Sequence, residues 1–258
     1  MIRKILTASA LLLAVIALPA AAAEATLDDV LATNIESRGG MDALNDIESL
    51  RIEGRMMMGP GMEAPLTMEM KRPNSMRMEF VFQGMTGVQA YDGETGWQIM
   101  PFGGSSEPEK MSETDLEQAA DQADIDGPLV NYKDKGHTAE LLGTEDVDGT
   151  EAYKIKLTKK NGDETIFFLD TEYCLEIKSQ STANMQGMEL EVEVSYGDYK
   201  EVAGVMMAHS ITQAAQGQPG SMSITFDKIE ANVEITADRF VMPEKEAAEE
   251  AVAKKEGE

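Results

Sequence analysis

A strict alternation of apolar and polar residues is the feature of this 258-residue sequence that most limits its fold. From Met188 to Tyr196 the sequence MELEVEVSY alternates without a fault, which gives a strand one apolar face and one face of glutamates. Shorter runs of the same period, separated by glycine-containing turns, recur between Gly54 and Gly220. Half-buried strands of this kind are typical of antiparallel sheets, so the sequence predicts roughly ten or more strands in one continuous antiparallel sheet.

Three local signals add detail to this sheet. The dipeptide Asn161-Gly162 suits the two positive φ angles of a type I′ turn, which predicts a β-hairpin around it. Between Met222 and Ile229 the apolar residues change parity, which predicts a β-bulge near Asp227. The alternating neighbours of the single cysteine, Cys174, predict that its side chain is buried in a strand and takes no part in catalysis.

Helical periods occur in two places. Thr26 and Asp29 have the spacing of a capping box, and the helix that follows is predicted to end at Gly39-Gly40 and to resume briefly through Leu44. A further helical turn is predicted from Pro128.

A second capped helix is predicted where the strand pattern is interrupted. Ser112 and Asp115 mark its first turn, and its apolar stripe, which begins at Leu116, is thin and lies among acidic residues. Because little apolar area would hold such a helix, it could open as a lid at modest cost. An ordinary surface helix that closes one end of the sheet is the alternative.

The two ends of the chain differ from the region between them. Arg3 and Lys4 precede an apolar run from Ile5 to Leu18, and small residues follow at 21–23. Fourteen residues rise about 21 Å as a helix, too little for a bilayer core of about 30 Å, so we expect a cleavable signal peptide at 1–23. Residues 24–243 form the predicted folded domain, and 244–258 form a charged tail. No cysteine directly follows the apolar run, so we expect an exported protein without a lipid anchor.

Composition argues against several classes of function. A formal net charge of −25 disfavours nucleic-acid binding, since phosphate backbones are normally met by a basic face. One cysteine and two histidines leave a structural zinc site short of ligands, and no phosphate-binding glycine loop is present. We therefore expect no catalytic residues, no metal and no cofactor. A hydrolase that uses paired carboxylates is the least favoured alternative, because so many acids create accidental pairs.

Methionine is used unusually heavily. Nine of the 19 methionines lie between Met56 and Met85, and strand parity places most of them on one face together with phenylalanines. A packed core is one reading of this stripe. The other is an adaptable groove for acyl chains, because polarizable methionine surfaces accept ligands of variable shape. The residues predicted to bind lipid are Met56, Met58, Met68, Met70, Met78, Phe80, Phe82, Trp97, Ile99 and Leu116.

The order of several longer motifs carries a family resemblance. SRGGMDALNDIESLRIEGRM, MKRPNSMRMEF, AYDGETGWQIMPF, EDVDGTEAYKIKL, FLDTEYCLEIK, DYKEVAGVMMAHSI and DRFVMP together resemble the LolA-like outer-membrane lipoprotein-sorting proteins. The resemblance spans about Leu27 to Pro243. It implies an unclosed antiparallel β-barrel with a helical lid, wrapped around an apolar cavity that shields acyl chains. It also implies a carrier and not an enzyme.

The resemblance makes further statements about individual residues. It implies that Arg72, Pro73, Asn74, Arg77, Glu79 and Phe80 lie on barrel strands. Carriers of this family latch the lid with a cavity arginine, which has no assigned counterpart here, because strand parity places Arg55 and Arg77 opposite the methionines.

Two functions follow as expectations. The first is a periplasmic carrier that binds acyl chains of lipoproteins or lipids and shuttles them toward the outer membrane. The alternative is a non-enzymatic module that senses envelope lipids and relays to an inner- or outer-membrane protein.

Overall fold

A computed structural model describes residues 25–57, 59, 61–103, 106–185, 188–217 and 220–243. The predicted signal peptide, the predicted charged tail and Met58 lie outside these residues. Within the described part of the chain, no helix has both the length and the apolar character needed to cross a membrane.

One antiparallel sheet of 13 strands dominates the molecule, which confirms the predicted continuous sheet. Its strand order is β6-β5-β4-β3-β2-β1-β13-β12-β11-β10-β9-β8-β7, and since β6 and β7 do not pair with each other, the barrel is open. The strands are β1 Ser49–Met57, β2 Glu63–Lys71, β3 Ser75–Phe82, β4 Met85–Tyr91, β5 Gly96–Ile99, β6 Glu109–Lys110, β7 Thr138–Val147, β8 Thr150–Thr158, β9 Glu164–Asp170, β10 Glu176–Met185, β11 Met188–Val202, β12 Val205–Ala215 and β13 Ser221–Ala231.

The predicted bulge is confirmed in the centre of this sheet. Glu53 pairs with Lys228, whereas the next residue, Gly54, pairs with Phe226, so Asp227 is the extra residue. The bulge restores Phe226 to the apolar face on which Ile229 also lies, which explains the change of parity in the sequence.

The hairpin at Asn161-Gly162 is confirmed, but its turn type was predicted wrongly. The amide N–H of Gly162 donates to the carbonyl of Lys159 at 2.9 Å, and Lys159 N–H donates to the carbonyl of Asp163 at 2.8 Å. Only Gly162 of the dipeptide has a positive φ, at 96°. The Asn161 side chain is held by Asp163, whose N–H donates to its Oδ1 at 3.1 Å, and this contact favours a longer loop than a two-residue turn.

Among the residues that the structure describes, three α-helices accompany the sheet: α1 Leu27–Ser37, α2 Gly40–Asn45 and α3 Glu113–Gln122. The capping box of Thr26 and Asp29 is present at the start of α1, as predicted. At α3 the Ser112 side chain accepts from Asp115 N–H at 3.2 Å, which confirms the predicted cap.

Two local predictions need correction. Residues 128–136 form successive turns and not a helical turn, although Leu129 and Val130 are buried. Cys174 is buried, but it lies in the turn between β9 and β10 with a φ of 54°. Its N–H donates to the carbonyl of Asp170, so the chain reverses there and does not continue as a strand.

The core occupies the concave face of the curved sheet in two clusters. In the first, α1 packs on β8 and β9, with Val30 and Leu31 against Ile155 and Leu169. In the second, α2 and α3 pack on the half of the sheet that contains β1 to β4, β12 and β13. The helices therefore divide the concave face into a half under α1 and a half that carries the methionines.

The junction of α1 and α2 touches the sheet without any side chain between them. Gly39 has a φ of 116°, and a Cβ placed on it would lie 2.0 Å from the carbonyl oxygen of Gly204. Met206 N–H donates to the carbonyl of Arg38 at 3.0 Å, which fixes the same approach. This contact positions both helices over the sheet.

We expect Gly39→Ala to lower the free energy of unfolding by about 2–4 kcal/mol, because it combines a forbidden φ with a backbone clash. Gly40→Ala is the control. Gly40 also has a positive φ, 85°, but has nothing within 4 Å of the added Cβ, so about 1 kcal/mol is expected. Urea unfolding measures both, and equal losses would contradict the proposed role of the close contact.

Candidate functional site

The methionine stripe forms one continuous wall on the concave face. Across β2 and β3, Met68 pairs with Met78 and Leu66 pairs with Phe80, so side chains of the same face lie directly opposite each other. Of the ten predicted site residues, seven belong to the second core cluster or pack against it: Met56, Met68, Met70, Met78, Phe80, Phe82 and Leu116.

Burial changes along this wall. Met70 and Met76, near the turn between β2 and β3, are 7% and 1% exposed and pack with Leu44 and Ile47. Met68 and Met78 lie farther along the same strands and are only half-buried. On β3 the end of the wall near this turn is therefore a sealed core, and the farther residues keep apolar surface accessible. On β2 the accessible surface is limited to Met68, because Leu66 and Ala64 beyond it are 2% and 0% exposed.

Aromatic side chains border the accessible end. Phe80 lies over β4 at Gly87, where an added Cβ would be 2.4 Å from its Cζ. Its ring stacks on that of Phe102 with centroids 5.7 Å apart, and Phe82 meets Phe102 edge-on at 5.9 Å. Phe102 is itself 41% exposed. The three rings form an apolar border that a flexible guest could contact.

The opposite side of the wall comes from residues that the sequence analysis did not select. Half-buried side chains of β12 and β13 pack against the same cluster: Met207, Ile211, Met222, Ile224 and Ile229. Their parity within VMMAHSIT and SMSITFDKI was a usable signal, but it does not reveal that β13 pairs with β1. That pairing brings Ile224 opposite Met56.

Helix α3 covers the β3–β5 side of the wall. A Cβ on Gly96 would lie 2.9 Å from Leu116 Cδ1, so the helix rests directly on β5. On the side of the helix that faces the sheet, Ala119 and the C-cap residue Ala123 are buried, whereas the side chain of Leu116 is partly exposed to solvent. The small alanine side chains thus let α3 lie close to the sheet while burying little apolar area. Both of the predicted alternatives, a lid and an ordinary surface helix, agree with this packing.

Trp97 and Ile99 were assigned to the wrong face. Gly96 pairs with Tyr91, so β5 directs Gly96 to the concave side and the alternating residues Trp97 and Ile99 to the convex side. There they form a separate cluster with Val88, and Trp97 Nε1 donates to the carbonyl of Phe240 at 2.8 Å. The sequence predicted an apolar strand here. It did not reveal the register of this strand with β4, and that register decides which face of the sheet Trp97 and Ile99 occupy.

The convex face carries a charged network beside this apolar cluster. Arg77 pairs with Glu79 at 2.7 Å, and its guanidinium lies 5.3 Å from the centre of the Trp97 ring. Arg239 pairs with Glu69 at 2.8 Å. Arg55 pairs with Asp227 on the same side at 2.9 Å, so the predicted position of Arg55 and Arg77 opposite the methionines is confirmed.

Arg72 connects three segments at the sealed end of the wall. Its guanidinium donates to both carboxylate oxygens of Asp126, at 2.6 and 2.8 Å, and to the carbonyls of Leu44 and Ile47. Arg72, Pro73 and Asn74 lie in the turn between β2 and β3, not on strands as the resemblance implied. The chain turns here because β3 runs antiparallel to β2. The turn places the Arg72 guanidinium next to α2 and to the loop after α3.

Ionic contacts dominate the electrostatics of this connection. Burial alone would raise the pKa of Asp126, but the hydrogen bonds and charge of Arg72 lower it below its usual range. The hydrogen bonds of Asp126 raise the pKa of Arg72 in turn.

Groups suited to chemistry are dispersed. His209 is buried on β12, with Nδ1 2.9 Å from the carbonyl of Met207, and His137 lies in the loop before β7. Among the described residues, no group of three or more His, Cys, Asp and Glu side chains could hold a metal ion.

Comparison with known proteins identifies the fold. No protein-family model and no curated protein matches the sequence. The chain is similar to a LolA superfamily protein from Nitrosomonas europaea at 14% identity and a TM-score of 0.57, over 84% of this chain and 98% of that one.

Two further solved structures agree. A DUF1329 family protein from Desulfovibrio piger has 12% identity and a TM-score of 0.59, over 84% of this chain and 97% of that one. A domain assigned to the outer membrane lipoprotein-sorting proteins of Vibrio parahaemolyticus has 11% identity and a TM-score of 0.54, over 75% and 89%. The likeness establishes an open, LolA-like barrel, as the sequence motifs implied.

We expect Asp126→Asn to lower the free energy of unfolding at pH 7 by about 1–2 kcal/mol, allowing for solvent screening of a partly open pair. The folded-state pKa of Asp126 is lowered, so its contribution is complete above the ordinary carboxyl range and is lost as the pH falls through the folded-state pKa. The difference between wild type and variant should therefore shrink on acidification.

Asp227→Asn is the matched control, since Asp227 is held by two nitrogens of Arg55 in an exposed pair. A much smaller loss is expected there. Chemical unfolding at several pH values checks both variants. A loss at Asp126 that stays constant from neutral to acidic pH would contradict the assigned ionic role.

Proposed function

We propose that this chain, an open antiparallel barrel of the LolA type, binds acyl chains of lipids or lipoproteins on its concave face. In this proposal it is exported to the periplasm and shuttles its cargo toward the outer membrane without catalysing a reaction. The observation that supports the proposal most is the half-buried wall that includes Met68, Met78 and Phe80. An apolar surface that is neither sealed nor freely exposed is typical of a ligand-binding groove.

The energetics of such a site are favourable. Burying a sixteen-carbon chain at ~0.8 kcal/mol per methylene gives roughly 12 kcal/mol before losses from immobilisation and from opening of α3. Unbranched methionine side chains can repack around chains of different length, because their thioethers are flexible and polarizable. Micromolar or tighter binding is therefore feasible without a polar anchor.

The remaining sequence features suit a shuttle. The predicted signal peptide at 1–23 would export the chain. A formal net charge of −25 disfavours prolonged attachment to anionic membrane surfaces, which would favour release after delivery.

We expect Met78→Asp to abolish acyl binding but to leave the protein folded, because Met78 is half-buried in the accessible part of the wall. Met76→Asp, two residues earlier on the same face, should unfold the protein, since Met76 is 1% exposed and a carboxylate there would be unpaired. Val81→Asp on the convex side of the same strand, 41% exposed, should change neither property.

Circular dichroism melts and titration with a fluorescent fatty acid test these three variants. If Met78→Asp unfolds the protein as Met76→Asp does, the wall is a closed core and the proposal fails. Retention of full acyl affinity in folded Met78→Asp would also contradict it.

Native mass spectrometry gives an independent test. We expect protein purified from the periplasm of a diderm host, without detergent, to carry a mass increment that extraction with organic solvent identifies as lipid. Wild-type protein that carries no lipid and also binds no acyl probe would refute the proposal. The folded Met78→Asp variant, prepared in parallel, is the control for adventitious lipid.

A further inference from the structure

A cavity lies beside α3, next to the methionine wall. Its volume is about 640 Å³, within the range of small-molecule sites. Tyr91 and Leu116 line it and also belong to the concave-face cluster, so the cavity adjoins the side of the methionine wall that α3 covers. Tyr91 pairs with Met76, which places the cavity next to the sealed end of the wall. Ala120, Pro73 and Pro128 complete its apolar lining.

The charged residues of this cavity are sorted by sign onto opposite walls. The acidic wall is α3 and the residues directly after it, with Glu117, Asp121 and Asp124. The basic wall is the loop before β7 and the turn between β8 and β9, with Lys135, His137, Lys159 and Lys160. In a chain with 47 acidic and 22 basic residues, three lysines and a histidine around one cavity are a marked local concentration of positive charge.

Where the two walls touch, their charges pair. Lys135 Nζ lies 2.6 Å from an Asp124 carboxylate oxygen, and Lys159 pairs with Asp121. Glu117 and Lys160 lie on the exposed part of the two walls and have no ion pair within the described residues. They remain available to a ligand, whereas the two ion pairs hold the walls in place.

His137 supplies a neutral donor on the basic wall. Burial and the charges of Lys135 and Lys159 lower the pKa of His137, so its imidazole is neutral at pH 7. The backbone N–H of Lys160 donates to His137 Nδ1 at 3.3 Å, which leaves the proton on Nε2.

We propose that this cavity binds a zwitterionic phosphodiester headgroup of the phosphoethanolamine type, whose acyl chain passes Leu116 beneath α3 to reach the accessible part of the methionine wall. The inference rests on the proposed acyl-binding function. Lysine ammonium groups and an imidazole N–H suit the phosphate, and the carboxylates of the facing wall suit the amine. Because the lining holds equal numbers of lysines and acids, a singly charged ligand gains at one wall and is repelled by the other. A dipolar ligand gains at both walls.

Three single-chain lipids with the same palmitoyl chain test the proposal: lysophosphatidylethanolamine, lysophosphatidylglycerol and monopalmitoylglycerol. Calorimetry or native mass spectrometry below the critical micelle concentrations gives their dissociation constants for the full mature protein. We expect the ethanolamine lipid to bind about tenfold more tightly than the other two. Glycerophosphoethanolamine, the headgroup without its chain, should bind far more weakly than the whole lipid.

Lys160→Gln and Glu117→Gln should each remove most of that preference while leaving the affinity for monopalmitoylglycerol unchanged. Both positions are exposed, so the fold should persist. Lys228→Gln and Glu230→Gln, which remove the same charges from an exposed pair on β13, are the matched controls and should keep the preference.

The outcomes separate this inference from the acyl-binding proposal. Equal affinities for the three lipids in the wild type would overturn the headgroup site and leave acyl binding supported. Equal weakening of all three lipids by Lys160→Gln would also overturn it. If glycerophosphoethanolamine binds as tightly as the whole lipid, the ligand of the cavity is a soluble phosphodiester and the proposed lipid headgroup is wrong. If none of the three lipids binds, both proposals are overturned.

Discussion

The structure depends on a hydrogen-bonded sheet that is continuous across 13 strands but does not close. A sheet of this size curls because its strands twist, and the curl creates a concave face that some other part of the chain must cover. The edge strands β6 and β7 stay unpaired with each other, so the gap is bridged by the segment between them, which contains α3. The candidate sites follow from this arrangement, since an open barrel leaves part of its interior accessible.

Coverage of the concave face is uneven, and that unevenness distinguishes core from candidate site. Under α1, Ile155, Leu157 and Leu169 are completely buried, and Met76, in the cluster to which α2 and α3 contribute, is 1% exposed. Farther along the wall, Met78 and Phe80 belong to the same face but lack such a cover and remain half-buried. The packed helices therefore supply stability, while part of the apolar area remains accessible.

The convex face has a different role. Residues 233–243 cross it, and their backbone carbonyls accept from Ser49 Oγ, Lys71 Nζ and Trp97 Nε1. Phe240 is 2% exposed there, so the outer surface of β1–β5 is covered as well as charged. This cover buries Trp97 at 2% exposed, which explains why Trp97 is structural.

Much of the fold could be read from local pattern. Period-two alternation, the parity change near Asp227 and the cap at Thr26 all depend on residues close in sequence, and the structure confirms each. Predictions that required contacts between distant residues were incomplete. The face of Trp97 depends on its register with β4, and the link between Arg72 and Asp126 joins residues 54 positions apart.

The sequence by itself determined that the chain forms an antiparallel sheet of half-buried strands, because side-chain alternation is a local property of each strand. That the sheet stays open was implied by the family resemblance. Tertiary structure alone decided which members of that face are sealed. Met76 and Met78 are identical in type and parity, yet Met76 is 1% exposed and Met78 is only half-buried. The opposed charges around the cavity beside α3 are likewise a product of folding. They come from separate segments that only the curvature of the sheet brings face to face.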